Sequence, residues 1–375
     1  MTAGFPRVAI VHEHFTQHGG SESVVEQLRR IWPDAPVYTG LVDHSTLTPR
    51  MADAHFETSW LQGRLGTPPS RLALLPLAAL AMPAMRVRGA DLVVVSHHSY
   101  AQRVRVPAGA RVLSYVHTPA RWMWEPGRRR DEERSGLLVS AAMTALAATQ
   151  RSADRQAARR VDRLVANSRH TADRIRRWWA IEAEVVHPPV DTDFFAPDAG
   201  VARQDFFLLA GRLVHHKRPD VVVEAARSAG VRLVVAGEGR ARSELEAAAG
   251  PGVEFRGAVT REELRHLYQS CRAVVFGGEE EFGIVAVEAQ ACGTPVIGPA
   301  LGGIAEGAVD GVTANLYPRL GEPAVLAGIL RRFDAARFDP VAIRRHAEGF
   351  SAPTFRRRMS ELAGELLGEA GEVDV

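Results

Sequence analysis

The sequence predicts an α/β protein of two parallel-sheet domains, and three observations lead there. Short apolar runs alternate with longer amphipathic ones along nearly the whole chain, the pattern of a sheet covered by helices on both faces. The alternation stops at HPPVDTDFFAP, residues 187–197, and then starts again, so this proline-rich segment reads as a hinge. A length of 375 residues also exceeds what one core usually supports, roughly 250 to 300.

In the first half, buried strands are expected at residues 7–12, 37–39, 92–96, 112–117, 164–166 and 185–187, with the clearest helices at 137–160 and 171–179. In the second half, strands are expected at 206–210, 233–236, 253–256, 273–276 and 295–297, separated by helices at 221–229, 241–249, 261–270 and 283–291. Phe355, Met359, Leu362 and Leu366 recur at helical spacing, so the tail is expected to fold back onto the first domain and to fray after Gly368. The expected domains are 1–190 with 351–375, and 198–350, two Rossmann-like units facing each other across a cleft.

Composition excludes several classes. A net charge of +2 gives no footprint for nucleic acid, and Cys271 and Cys292 are too few for a disulfide framework and lack metal-ligand spacing. The opening MTAGFPRVAIVHEH has no basic n-region or cleavage site, so a reducing cytoplasm is the expected setting. Between Arg71 and Arg88 lies an apolar stretch, broken by Pro76 and Pro83 and too short to span a bilayer. It fits either a surface lying against the inner face of a membrane or a pair of core helices with a proline bend. His12 and His14, His97 and His98, and His215 and His216 are not expected to bind metal, because adjacent or alternate residues on strands diverge and no carboxylate cluster accompanies them.

The chemistry centres on GGEEEFGIVAVEAQACGTP, residues 277–295, an acidic loop running into a short helix. The amides of Phe282, Gly283 and Ile284 are first-turn donors suited to hydroxyl or phosphate oxygens. Glu280 is expected at the mouth, with Glu288 about two turns deeper on the same side among apolar neighbours. Of the 46 Lys and Arg residues, one is a lysine, Lys217, in GRLVHHKRPD. With Arg212 it places two cations at the carboxyl end of a strand, where open α/β sheets bind ligands, and an ammonium packs on phosphate where a planar guanidinium does not fit. Gly19 and Gly20 would let a ligand approach a helix N-terminus. His117 ends a strand before Thr118 and Pro119; Trp122 and Trp124 suit either packing or sugar stacking. Residues 128–133 read as a charged loop, and Asn167 and Ser168 as a helix cap.

These motifs together resemble retaining glycosyltransferases of family 4, which have the GT-B fold. The resemblance rests on HGGSE, SYVHTPARWMWE and LVANSR in the first half and on GRLVHHK, VVAGEGR, FRGAV and EEEFGIVAVEAQACGTPVI in the second. The HTP stretch is similar to a bacterial subgroup of mannosyltransferases. The resemblance implies that Arg212 and Lys217 hold the donor diphosphate, that Glu288 binds the ribose, and that Glu280 with the Phe282, Gly283 and Ile284 amides holds the donor sugar. Gly257 and Val259 would border the base, Gly19 and Gly20 would lie beneath the phosphates, and His117 would point at the sugar. It implies a metal-independent transfer, without cofactor, of a hexose from GDP-mannose to a lipid-linked or small glycosylated acceptor touched by Trp122 and Trp124. A UDP-hexose donor, or epimerase or hydrolase chemistry on the same fold, are the alternatives. The sequence departs from the pattern at Glu13 and His14, where Asp and Trp are expected, and at residues 120–124.

Overall fold

The computed structural model describes residues 6–17, 19–63, 71–125, 137–318 and 321–368, without the side chains of 71–76 and 137–140. The chain divides into two compact units, one formed by the chain up to Pro189 together with its return from Pro353, the other containing Val190–Ala352.

The first unit carries a seven-stranded sheet in the order β3-β2-β1-β4-β5-β6-β7, parallel throughout. Its strands are β1 Val8–His12, β2 Val37–Thr39, β3 Phe56–Thr58, β4 Leu92–His97, β5 Arg111–Val116, β6 Arg163–Ala166 and β7 Glu184–Val185. β4 is buried along its whole length, as a strand covered on both faces requires. The C-terminal helix Ala352–Leu367 belongs to this unit's core, where Phe355, Met359 and Leu362 pack with Ile10, Leu28 and Tyr115.

The second unit repeats the scheme with six strands in the order β10-β9-β8-β11-β12-β13. These are β8 Phe207–Ala210, β9 Leu233–Ala236, β10 Val253–Gly257, β11 Val274–Val275, β12 Val296–Pro299 and β13 Ala314–Tyr317. In both units the strand order reverses beside the first strand, between β1 and β4 and between β8 and β11. Ligands of doubly wound sheets bind outside the carboxyl ends of the strands at such a reversal.

Two expectations need correction. β3 and β13 are strands absent from the sequence reading; Phe56–Thr58 and Ala314–Tyr317 are short edge strands whose residues carry no apolar run. The proline-broken stretch is a single helix, Arg71–Ala84, containing both Pro76 and Pro83. The charged loop expected at 128–133 and the frayed end beyond Gly368 lie outside the described residues.

Candidate active site

In the second unit the site grows from the loop after β8. It ends in a tight 3-10 turn, His215–Lys217, after which Arg218 takes a left-handed conformation and Pro219 opens the helix Pro219–Ala229. The loop after β11 is pressed against this turn: a Cβ on Gly278 would stand 2.6 Å from the Lys217 carbonyl. Glycine at 278 thus brings the acidic loop up to the lysine. Lys217 Nζ lies 2.9 Å from Glu280 Oε1, with the two side chains 23% and 14% exposed, so the ammonium faces the site rather than bulk solvent.

The acidic loop is braced from behind. Gly303 donates its amide to the Glu280 carbonyl at 2.8 Å, and a Cβ at Gly303 would be 2.0 Å from Phe282 Cα. Phe282 is buried in the core, Gly283 sits at φ +86°, and the helix Ile284–Ala291 starts at once. The Gly283 and Ile284 amides donate to no carbonyl among the described residues, as first-turn groups of a helix without a side-chain cap do. Gly303→Ala is expected to lower stability by about 1 to 3 kcal/mol, the usual cost of overpacking, and to weaken nucleotide binding by displacing residues 280–283. A thermal melt with and without nucleoside diphosphate checks both effects.

Glu288 is half-buried on that helix and accepts a hydrogen bond from the Tyr268 hydroxyl at 3.0 Å. Burial pushes its carboxyl up to about 7, against the opposing pull of that bond and of the Arg261 charge. Tyr268, fully buried, was not singled out from sequence; it lies in the helix Arg261–Ser270 with nothing local to link it to Glu288. Arg212 is exposed at the start of the loop after β8. Gly257 ends β10 at φ +71° and accepts the Gly237 amide at 2.7 Å, while Val259 packs at the edge of the core.

In the first unit, the ends of β1, β4 and β5 gather a polar cluster. Ser96 Oγ lies 2.8 Å from His117 Nε2 and 3.1 Å from His12 Nδ1. Glu13 is buried and accepts the amides of His98, Ser99, Tyr100 and Ala101. Burial alone would raise its carboxyl, yet the imidazoles of His98, His97 and His12 and the Ala101 amide hold it well below the usual carboxylate range. Burial, then repulsion from His98 and His12, brings His117 and His14 each down to about 3. The pairwise histidine reading missed this cluster: neighbours on one strand diverge, but the ends of adjacent parallel strands converge. Among the described residues no group of His, Cys, Asp and Glu could hold a metal ion.

Gly19 is extended and precedes the helix Gly20–Ile31, which has no side-chain cap. Trp124 is committed to packing: its Nε1 donates to Asp154 at 2.8 Å, its ring stacks on Trp178, and the Arg155 guanidinium lies 4.8 Å from its centroid. Trp122 is half-buried against Tyr100. Ser168 caps its helix, accepting the Thr171 amide at 3.0 Å. No described helix is long and apolar enough to cross a membrane.

The family model described as Glycosyltransferase Family 4 matches residues 18–194, and that described as Glycosyl transferases group 1 matches residues 192–333. The chain is 36% identical over 244 residues to D-inositol 3-phosphate glycosyltransferase of Mycobacteroides abscessus, covering 58% of this chain and 53% of the relative. To the protein of the same name from Mycolicibacterium paratuberculosis it is 34% identical, covering 57% of each. It therefore spans little more than half the length of these relatives. Sucrose-phosphate synthase from Thermosynechococcus elongatus shares the fold at TM-score 0.73 and 19% identity, covering 97% of this chain and 100% of that one. HepE from Anabaena, in complex with UDP-glucose, does so at 0.67 and 18%, covering 96% of this chain and 99% of that one. The two glycosyltransferase family models together span residues 18–333, one on each unit, and the chain belongs to the family 4 glycosyltransferases of the GT-B fold.

Proposed function

We propose that the chain transfers a hexose, with retention, from a nucleoside diphosphate hexose to an acceptor hydroxyl. The observation that carries this reading is the meeting, at the strand-order reversal of the second sheet, of Lys217, Glu280 and the open amides of Gly283 and Ile284. Departure of a nucleoside diphosphate leaves negative charge on phosphate oxygens, and fixed cations and amides stabilise that charge as it develops. In the proposed roles Lys217 and Arg212 hold the diphosphate, Glu288 the ribose, and Glu280 and His117 the hexose. By the resemblance, Gly19 and Gly20 are assigned to the phosphates, and Gly257 and Val259 to the base. The anomeric carbon loses its bond to the diphosphate and gains one to the acceptor oxygen on the same face, and the acceptor proton passes to a phosphate oxygen. No enzymic nucleophile or cofactor is required.

The preferred donor is GDP-mannose, on the resemblance of the HTP stretch. A UDP-hexose is the second reading, favoured by the fold shared with HepE, solved with UDP-glucose. The acceptor is a lipid-linked or small glycosylated molecule, and the relatives' name adds a phosphorylated cyclitol to the candidates. The buried free thiols of Cys271 and Cys292 support a reducing cytoplasmic setting, and exposed Leu80 on the helix Arg71–Ala84 supports contact with a membrane surface. Incubation with radiolabelled GDP-mannose or UDP-glucose and an acceptor extract tests the proposal. We expect label in the acceptor from GDP-mannose, and turnover without acceptor would instead indicate hydrolysis or epimerisation.

A further inference from the structure

Behind His117 in the first unit stand three side chains shielded from solvent. Ser96 contacts both His117 Nε2 and His12 Nδ1, and His12 Nε2 faces Glu22 Oε1 at 3.9 Å. His12 and Ser96 are fully buried and Glu22 is 4% exposed, so no bulk water intervenes. A hydroxyl has one proton to donate, so if Ser96 donates to one imidazole it accepts from the other. The far end of the row makes the choice. Burial raises the Glu22 carboxyl, but His12, the backbone amide and the Ser21 hydroxyl bring it down to about 2, so it is an anion. A lone pair aimed at an anion is repelled and an N–H is attracted. Taking His12 as neutral, the premise on which the rest of the row depends, its proton sits on Nε2 toward Glu22 and a bare Nδ1 faces Ser96. Ser96 then donates to His12 and accepts from His117, which fixes the His117 proton on Nε2. The His117 ring, faced by His98, His12, Glu13 and Glu22, stays neutral, and its Nδ1 has no partner among the described residues.

We propose that Glu22, His12 and Ser96 are positioning residues that set the tautomer of His117, so that its bare Nδ1 accepts a hydrogen bond from a hydroxyl of a neutral hexose and disfavours a hexuronate. The sugar half rests on the role given to His117 above; the tautomer half does not. The full chain with ¹⁵N-labelled histidine, without substrate, gives the tautomer from long-range ¹⁵N–¹H correlations, with His117 assigned by His117→Asn. Wild type is expected to show Nε2–H at His117. Ser96→Ala should give mixed tautomers, lower kcat for hexosyl transfer about tenfold, and narrow the preference for a hexose over a hexuronate donor. Ser96→Thr, which keeps the hydroxyl, should restore the wild-type pattern. Should Ser96→Ala not fold, Glu22→Gln supplies the same comparison, with the anion removed. A wild-type His117 protonated on Nδ1, or tautomers indifferent to both substitutions, would overturn the proposal. Because the tautomer is read on the free chain, this failure is distinct from a failure to transfer hexose.

Discussion

Lys217→Ala is expected to lower kcat/KM for hexosyl transfer by about 10²- to 10³-fold, the usual loss when one preorganised donor to a developing oxyanion is removed. The geometry explains why so much rests on a single side chain. The ammonium is aimed by a tight turn whose carbonyl is crowded by Gly278, and it is held at 2.9 Å by Glu280, so it is fixed before any substrate arrives. Arg212 is more exposed and cannot replace a shielded charge. Lys217→Arg should recover little, because a planar fork on the same turn meets Glu280 first and does not reproduce a compact charge. Steady-state kinetics with calorimetry of nucleoside diphosphate binding checks both variants, and circular dichroism checks that they fold. Full activity in Lys217→Ala would remove the proposed mechanism.

Much of the fold was legible because each strand of a doubly wound sheet is a continuous apolar run and each helix a stripe. Val8–His12, Leu92–His97 and Phe207–Ala210 were found by that rule within a residue or two. Ala314–Tyr317 was not, since four residues with an asparagine carry no periodic signal and become a strand only through pairing with β12. The loops of the site were legible where glycine and a lone lysine stood out. Their contacts were not. Lys217 and Glu280 meet because two parallel strands end side by side, and His12, Ser96 and His117 meet for the same reason on the other sheet. Such pairings depend on strand order, which local periodicity does not carry. Trp124 is a further case: the indole N–H groups of Trp124 and Trp179 both donate to Asp154, a partner that local sequence does not reveal.

Glu288→Gln is expected to separate stability from binding. The folded carboxyl titrates at about 7 where the ordinary value is 4.5, because burial disfavours its charge. Between those two pH values the folded chain keeps a proton that the unfolded chain has lost, so stability falls as pH rises through the window, by at most about 3 kcal/mol. Glutamine has no proton to lose; the variant should lack this slope and be more stable than wild type near pH 8. Binding should run the opposite way. An ionised carboxylate can accept two ribose hydroxyls while still accepting from Tyr268, and the protonated form offers fewer acceptors. Wild-type affinity for a nucleoside diphosphate should therefore rise about tenfold from pH 6 to pH 8, as expected when only the ionised form of a group titrating near 7 binds. The variant should bind weakly at both, which also controls for titration of the phosphate itself. Denaturant melts and calorimetry at the two pH values measure the pair of effects. A Glu288 that served only the packing of its helix would give the gain in stability without the loss of affinity, whereas a ribose ligand held in a costly buried position must give both.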